Sequence, residues 1–384
     1  MSKKKATILA TAGVAQDKAF GAVAPPIHLA TTFAWADHTE KPAFDYARRL
    51  NPNRDQLISA LSELEGAAGG TVTASGMASI DLCLNFVGPS DLVLAPHDCY
   101  GGTHRLLTAK SRRGLFEVEF VDFTDEAARA AAFARGPKLV FLETPSNPLM
   151  RITDLEACAA LGREVGAMTV ADNTFLSPIL QNPLALGCDV VMHSTTKFIS
   201  GHSDVIGGAI LAKDPSLAED LAWWANCTGN AGPAFDSWLT MRGLRTLELR
   251  VRQQQETAMR LADVLYADDR VSKVYYPGLP SHPGHSLAMQ QQAGAGSMLS
   301  AELAEGCDVR AFLGALEVMT LAESLGGFET LICVPDSMTH AGMEENARRE
   351  AGITPGLLRF SIGLEDGADL QSDLLRGLDA AARS

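Results

Sequence analysis

Short, nearly unbroken apolar runs alternate with longer amphipathic stretches through the first part of the chain. Thr71–Ala74, Asp91–Ala95, Phe116–Val121, Lys138–Leu142, Met168–Ala171, the run from Cys188 to His193 and Val205–Leu211 are too short for helices. Continuous rather than alternating apolar runs predict strands covered on both faces. Helical patterns lie between them, over Gln56–Leu64 and Ile80–Phe86, after Gly101-Gly102, from Asp125, from Asp154 and around Trp223-Trp224. This alternation predicts an α/β protein whose large domain holds a mostly parallel sheet between helices. A long helical pattern over 244–266 then leads to strands near Val271–Tyr275, Ser297–Glu302 and Leu357–Ser361 with helices among them, a smaller C-terminal α+β domain. Residues 1–55 have little periodicity and carry Pro25-Pro26, which reads as an extended N-terminal arm and loop. The expected boundaries are 1–55, 56–243 and 244–384.

In parallel sheets ligands bind beyond the carboxyl ends of the strands. Those ends are Ser75-Gly76, Pro96-His-Asp-Cys-Tyr100, Glu143-Thr-Pro-Ser-Asn147, Asp172-Asn-Thr174 and Ser194-Thr-Thr-Lys197. All of the chemically interesting residues therefore fall on one edge. The turn Ser75-Gly76-Met77 leads a strand into a helix, where unpaired backbone N–H groups and the helix dipole favour an anion. Any tight strand–helix turn uses Gly and Ser, so this feature alone is weak. Lys197 and Asp172 present opposite charges at two strand ends, and for a lone lysine an ion pair is the plain reading.

Composition narrows the classes. With 46% hydrophobic and 20% charged residues in 384, the chain resembles an average globular protein, and no run approaches the roughly 18 apolar residues of a membrane helix. A net charge of −14 argues against a nucleic-acid or anionic-membrane surface. Seven scattered cysteines without a Cys-x-x-Cys pair fit reduced thiols, so a cytoplasmic location is expected. The start, Met1-Ser-Lys-Lys-Lys, imitates a signal peptide, but Gln16-Asp17-Lys18 interrupts the apolar stretch. Glycine-rich nucleotide motifs and a Gly-x-Ser-x-Gly elbow are absent. His282-Pro-Gly-His285 reads as surface histidines in a turn rather than a metal site, since no third ligand lies nearby.

Pyridoxal phosphate requires a lysine for its aldehyde, a carboxylate for its ring nitrogen and donors for its phosphate. Lys197, Asp172, the hydroxyls of Ser194 and Thr196, and the Gly76-Met77 amides supply all three. Tyr100 is placed to cover the ring face, a stack contributing about 1 kcal/mol.

The runs Tyr46-Ala-Arg48-Arg-Leu-Asn-Pro52, Ser75-Gly-Met-Ala78, Tyr100-Gly-Gly102, Glu143-Thr-Pro-Ser-Asn-Pro148, Asp172-Asn-Thr-Phe175, His193-Ser-Thr-Thr-Lys197 and Glu323-Ser-Leu-Gly-Gly327 resemble the pyridoxal-phosphate enzymes of cysteine and methionine metabolism. The resemblance spans essentially the whole chain and is strongest to the γ-synthase branch. Leu50 and Asn53 depart from the usual residues of the Tyr-x-Arg loop. The resemblance implies a large cofactor-binding domain with a seven-stranded type of sheet, as in aspartate aminotransferase-like enzymes. It implies that Ser75 and Thr174 join the cofactor set, and that Tyr46 and Arg48 reach the phosphate in a neighbouring subunit. A homo-oligomer follows, a tetramer built as a dimer of dimers with shared active sites. Arg359 is implied to bind the α-carboxylate of amino-acid substrates, with Asn147 and Ser324 assisting; a guanidinium pairs bidentately where lysine cannot.

The implied reaction is γ-replacement in methionine biosynthesis, joining an activated homoserine ester and L-cysteine into L-cystathionine. Lys197 would move the protons, with Tyr100 as a further acceptor. Glu323 matches γ-synthases and γ-lyases better than β-lyases. Asp45, Arg105 and Asn226 match positions that line the distal pocket, where Arg105 and Asn226 favour a succinyl ester. The alternatives are cystathionine γ-lyase chemistry, then cystathionine β-lyase or methionine γ-lyase chemistry. A regulator that had lost turnover would lack the lysine or the arginine, and both are present.

Overall fold

The computed structural model describes residues 3–382. The first seven strands are β1 (Gly69–Thr73), β2 (Leu92–Pro96), β3 (Glu117–Val121), β4 (Leu139–Glu143), β5 (Met168–Asp172), β6 (Val190–His193) and β7 (Gly208–Ala212). They form one sheet in the order β1-β7-β6-β5-β4-β2-β3, in which β7 alone runs antiparallel to its neighbours. Successive side chains of a strand point to opposite faces. In β2, Leu92 and Leu94 enter one core, with Val140, Leu142 and Leu155, while Val93 and Ala95 enter another, with Ile80, Phe141 and Met192. Both faces are thus apolar, the reason these segments read as continuous runs.

Five later strands, β8 (Val271–Tyr275), β9 (Met298–Leu303), β10 (Thr320–Leu321), β11 (Leu331–Cys333) and β12 (Leu357–Ser361), form a second sheet in the order β10-β11-β12-β9-β8. It is antiparallel except for the β10–β11 pair. The helix Leu247–Tyr266 buries Leu261 and Leu265 against this sheet, and Val251 against the core of the first. One helix therefore seats the two sheets on each other.

Several elements differ from expectation for local reasons. A helix spans Pro52–Glu65, starting before Gln56, because the Asn51 side chain accepts the Asn53 N–H at 2.9 Å and Pro52 suits the first turn. It crosses the expected division at residue 55. The arm also holds a helix, Lys5–Thr11, whose Ile8 and Leu9 are buried in the core. Val205 and Ile206 are not in a strand. Gly207 both donates to the Thr196 hydroxyl (3.0 Å) and accepts from it (3.2 Å), so pairing begins at Gly208. His282 is buried, not on the surface; its Nδ1 accepts the Gly284 N–H at 3.0 Å, and burial first, then His285, pushes its pKa down to about 4. Among the described residues no cluster of His, Cys, Asp and Glu could hold a metal, and no helix is long and apolar enough to cross a membrane.

Candidate active site

The carboxyl ends of β1, β2, β4, β5 and β6 converge on a cavity of about 960 Å³, closed from the other side by Glu323, Ser324 and Arg359 of the second sheet region. Lys197 follows β6 by four residues, and its Nζ donates to Ser324 Oγ at 2.7 Å. Burial first, and then Arg359, lower its pKa to about 8 against the opposing pull of Glu323. Ser324 has φ 80, a left-handed conformation that costs a non-glycine residue about 1–3 kcal/mol. It is held there from two sides, because its carbonyl accepts Arg359 Nη2 at 3.0 Å while its hydroxyl takes the lysine. Arg359, on β12 and 3% exposed, also donates from Nη1 to Asn147 Oδ1 at 2.9 Å, and its Nε is buried with no partner among the described residues. A buried guanidinium whose hydrogen-bond partners are neutral oxygens is ready for an external carboxylate.

Asp172 ends β5 within the same cavity, where its Oδ1 accepts the Thr174 N–H at 2.9 Å. Burial raises its pKa, while the Thr174 hydrogen bonds and the nearby His193 act to lower it. At the other end, Ser75 caps the helix Gly76–Cys83 by accepting the Ala78 N–H at 3.1 Å, leaving the first-turn amides of Gly76 and Met77 at the cavity. A Cβ on Gly76 would lie 2.8 Å from Ser194 Cβ, so only glycine lets this turn approach the β6 end. Ser194 N–H donates to Thr174 Oγ1 at 2.9 Å. Tyr100 stands at the wall, 39% exposed; a Cβ on Gly102 would meet its ring at 2.5 Å, so that glycine makes room for the tyrosine.

The structure brings together Ser75, Gly76, Met77, Tyr100, Arg105, Asn147, Asp172, Thr174, Ser194, Thr196, Lys197, Glu323, Ser324 and Arg359. It does not bring Asp45, Tyr46, Arg48 or Asn226 to this cavity. Arg48 instead donates from Nε to Asn226 Oδ1 at 3.2 Å and lies over the Tyr46 ring, while Asp45 pairs with Arg49 at 2.7 Å. Lys197 and Asp172 share no hydrogen bond among the described residues. Sequence reasoning missed Met338 and Thr339, which also line the cavity, and the buried His340, whose Nε2 lies 3.1 Å from the Asn147 carbonyl. They lie in an irregular loop with no periodic pattern to mark it.

Residues 6–379 match the model of the Cys/Met metabolism PLP-dependent enzyme family. The chain belongs to that family. It is 51% identical to the cystathionine gamma-synthase of Escherichia coli K12, with 99% of both chains covered. It is 40% identical to the cystathionine gamma-lyase of Bacillus subtilis, over 98% of this chain and 99% of that one. A crystal structure of cystathionine gamma synthase from Xanthomonas oryzae pv. oryzae, in complex with aminoacrylate and cysteine, superposes with a TM-score of 0.98 at 52% identity, covering both chains fully. As in the family, the cofactor is pyridoxal 5'-phosphate. The cavity suits it: a half-buried lysine with a lowered pKa, a half-buried carboxylate at the end of β5, and a helix N-terminus that a Cβ at Gly76 would close.

Proposed function

We propose that this enzyme performs γ-replacement, taking an activated homoserine ester, O-succinyl-L-homoserine, and L-cysteine to L-cystathionine and succinate, a step of methionine biosynthesis. The observation that carries this reading is a pair of cations in one cavity, neither with a carboxylate partner among the described residues. Arg359 is buried beside Lys197; Arg105 is exposed at the mouth. The first would hold the α-carboxylate, with Asn147 and Ser324 at its sides. The second suits the distal carboxylate of a succinyl group, which an acetyl ester lacks.

Pyridoxal phosphate, when bound, supplies an electron sink conjugated to the substrate α-carbon. Lys197 would hold its aldehyde, Asp172 its ring nitrogen, and the Gly76 and Met77 amides with Ser194 and Thr196 its phosphate. With a pKa near 8, the Lys197 amine is neutral in a useful fraction near neutral pH. It takes the proton from the α-carbon and returns protons along the same face, and Ser324 Oγ steadies it between transfers. The succinate leaves with the electron pair of the Cγ–O bond, and the cysteine thiolate forms the Cγ–S bond. Tyr100, which lines the same cavity, would be the second proton acceptor.

We further infer that Tyr46 and Arg48 serve the cavity of a second copy, in a tetramer of two such dimers. Their exposure, and the exposed Phe20, Leu29 and Trp35 on the same arm, support this reading. A cytoplasmic location fits the free cysteines, five of which are at most 1% exposed. Steady-state assays with succinyl and acetyl esters test the donor. Arg105→Ala should raise KM for the succinyl ester about tenfold and leave the acetyl ester within about twofold. Equal effects on both esters would remove Arg105 from donor recognition.

A further inference from the structure

Glu143, the last residue of β4, has no part in the reading above, yet it lies buried between two loops that shape the cavity. Its Oε2 accepts the backbone N–H of Tyr100 at 2.9 Å, and its Oε1 accepts the backbone N–H of Asn147 at 3.0 Å. In the β4–β5 register it sits directly opposite Asp172. Burial, and then the neighbouring Asp172, push its pKa well above the usual carboxylate range, so an acid here is an expensive way to satisfy two amides. What distinguishes it is where the two amides lead. Tyr100 carries the ring at the cavity wall, and Asn147 carries the side chain that receives Arg359 at 2.9 Å. The Asn147 carbonyl is in turn engaged by His340 Nε2 at 3.1 Å, so this segment is held from both sides.

We propose that Glu143 is a positioning residue: its two carboxylate oxygens clamp the backbones of Tyr100 and Asn147 and so fix the ring-facing tyrosine relative to the Arg359–Asn147 carboxylate clamp. Each N–H needs its own acceptor, and a glutamate side chain offers one on each oxygen. A glutamine keeps one acceptor and turns an NH₂ toward the other N–H, donor against donor. An aspartate keeps both acceptors but falls short by one methylene. The clamp builds on the proposed roles of Tyr100 and Asn147, but its geometry does not depend on which reaction the enzyme performs.

The test uses Glu143→Gln, with Glu143→Asp read the same way should the first fail to fold. In the cofactor-free protein, amide hydrogen exchange at Tyr100 or Asn147 should speed up about tenfold or more, with Phe141 within β4 as an unchanged reference. In the loaded enzyme, visible circular dichroism of the bound cofactor should change. Per mole of bound cofactor, kcat/KM for the homoserine ester should fall about tenfold or more, mostly through KM. Unchanged exchange at both amides would overturn the clamp. Faster exchange with unchanged dichroism and unchanged kcat/KM would reduce Glu143 to a structural residue and overturn its positioning role. If the parent enzyme performs no γ-replacement, the proposed function fails on its own, and exchange and dichroism still decide the clamp.

Discussion

Lys197 and Arg48 are both cations proposed to hold pyridoxal phosphate, the first in its own protomer and the second in a partner, and a single protomer treats them in opposite ways. Lys197 is half-buried just beyond the end of β6, its pKa lowered to about 8, its amine fixed on Ser324. Arg48 is exposed on the arm, its side chain over the Tyr46 ring and hydrogen-bonded to Asn226 at 3.2 Å. The strand-end half of the site is organised before any ligand arrives, because burial in a two-sided sheet leaves its side chains few alternatives. The arm half is held by contacts that water readily replaces, since exposed pairs contribute only about 0–1 kcal/mol. Preorganised groups suit proton transfer, and the loose ones suit a surface that a second copy completes.

This contrast can be broken most strongly at Lys197. Lys197→Ala should lower turnover at least about a thousandfold while the cofactor still binds noncovalently, seen as loss of the lysine-dependent visible band. Retained turnover would refute its role. Arg359→Lys should raise KM for the homoserine ester about tenfold to a hundredfold, because the fork that spans Asn147 and the Ser324 carbonyl becomes a point charge. Cofactor absorbance should not change.

Arg48→Ala should weaken cofactor binding about tenfold and change unfolding stability by less than about 0.5 kcal/mol, as fits an exposed residue. Mixing Arg48→Ala subunits with Lys197→Ala subunits should restore activity if the arm serves a partner's cavity. Mixtures no more active than their parts would return the arm to its own protomer.

The smallest expected effect is in pH. Cofactor capture by the apo-protein should quicken with pH and level off above about 8, since the neutral lysine is the nucleophile and burial lowers its pKa from 10.5. Folding disfavours the charged form of this lysine, so its contribution to apo-protein stability is lowest below pH 8 and rises from there toward 10.5.

Where the sequence was legible, physics constrained few choices. The doubly buried strands betray themselves as apolar runs, and their carboxyl ends collect Ser75, Asp172 and Ser194–Lys197 without any three-dimensional information. Local chemistry moved the boundaries: the Asn51 cap starts a helix early, and the Thr196–Gly207 hydrogen bonds delay β7. The loop holding Met338–His340 was illegible, because it has no periodicity and meets the site only through the fold. Glu143 was visible as a strand end, but its two backbone partners lie on separate loops and only the sheet order brings them to it. The positive φ of Ser324 likewise follows from Lys197 and Arg359, far away in sequence.

The central claim is that this cavity joins two amino acids rather than cleaving one. The direct measurement incubates the holoenzyme with O-succinyl-L-homoserine plus L-cysteine and, separately, with L-cystathionine alone. The account predicts rapid formation of cystathionine in the first and slow release of 2-oxobutanoate in the second. Rapid cleavage of cystathionine to cysteine and 2-oxobutanoate, with negligible synthesis, would contradict it.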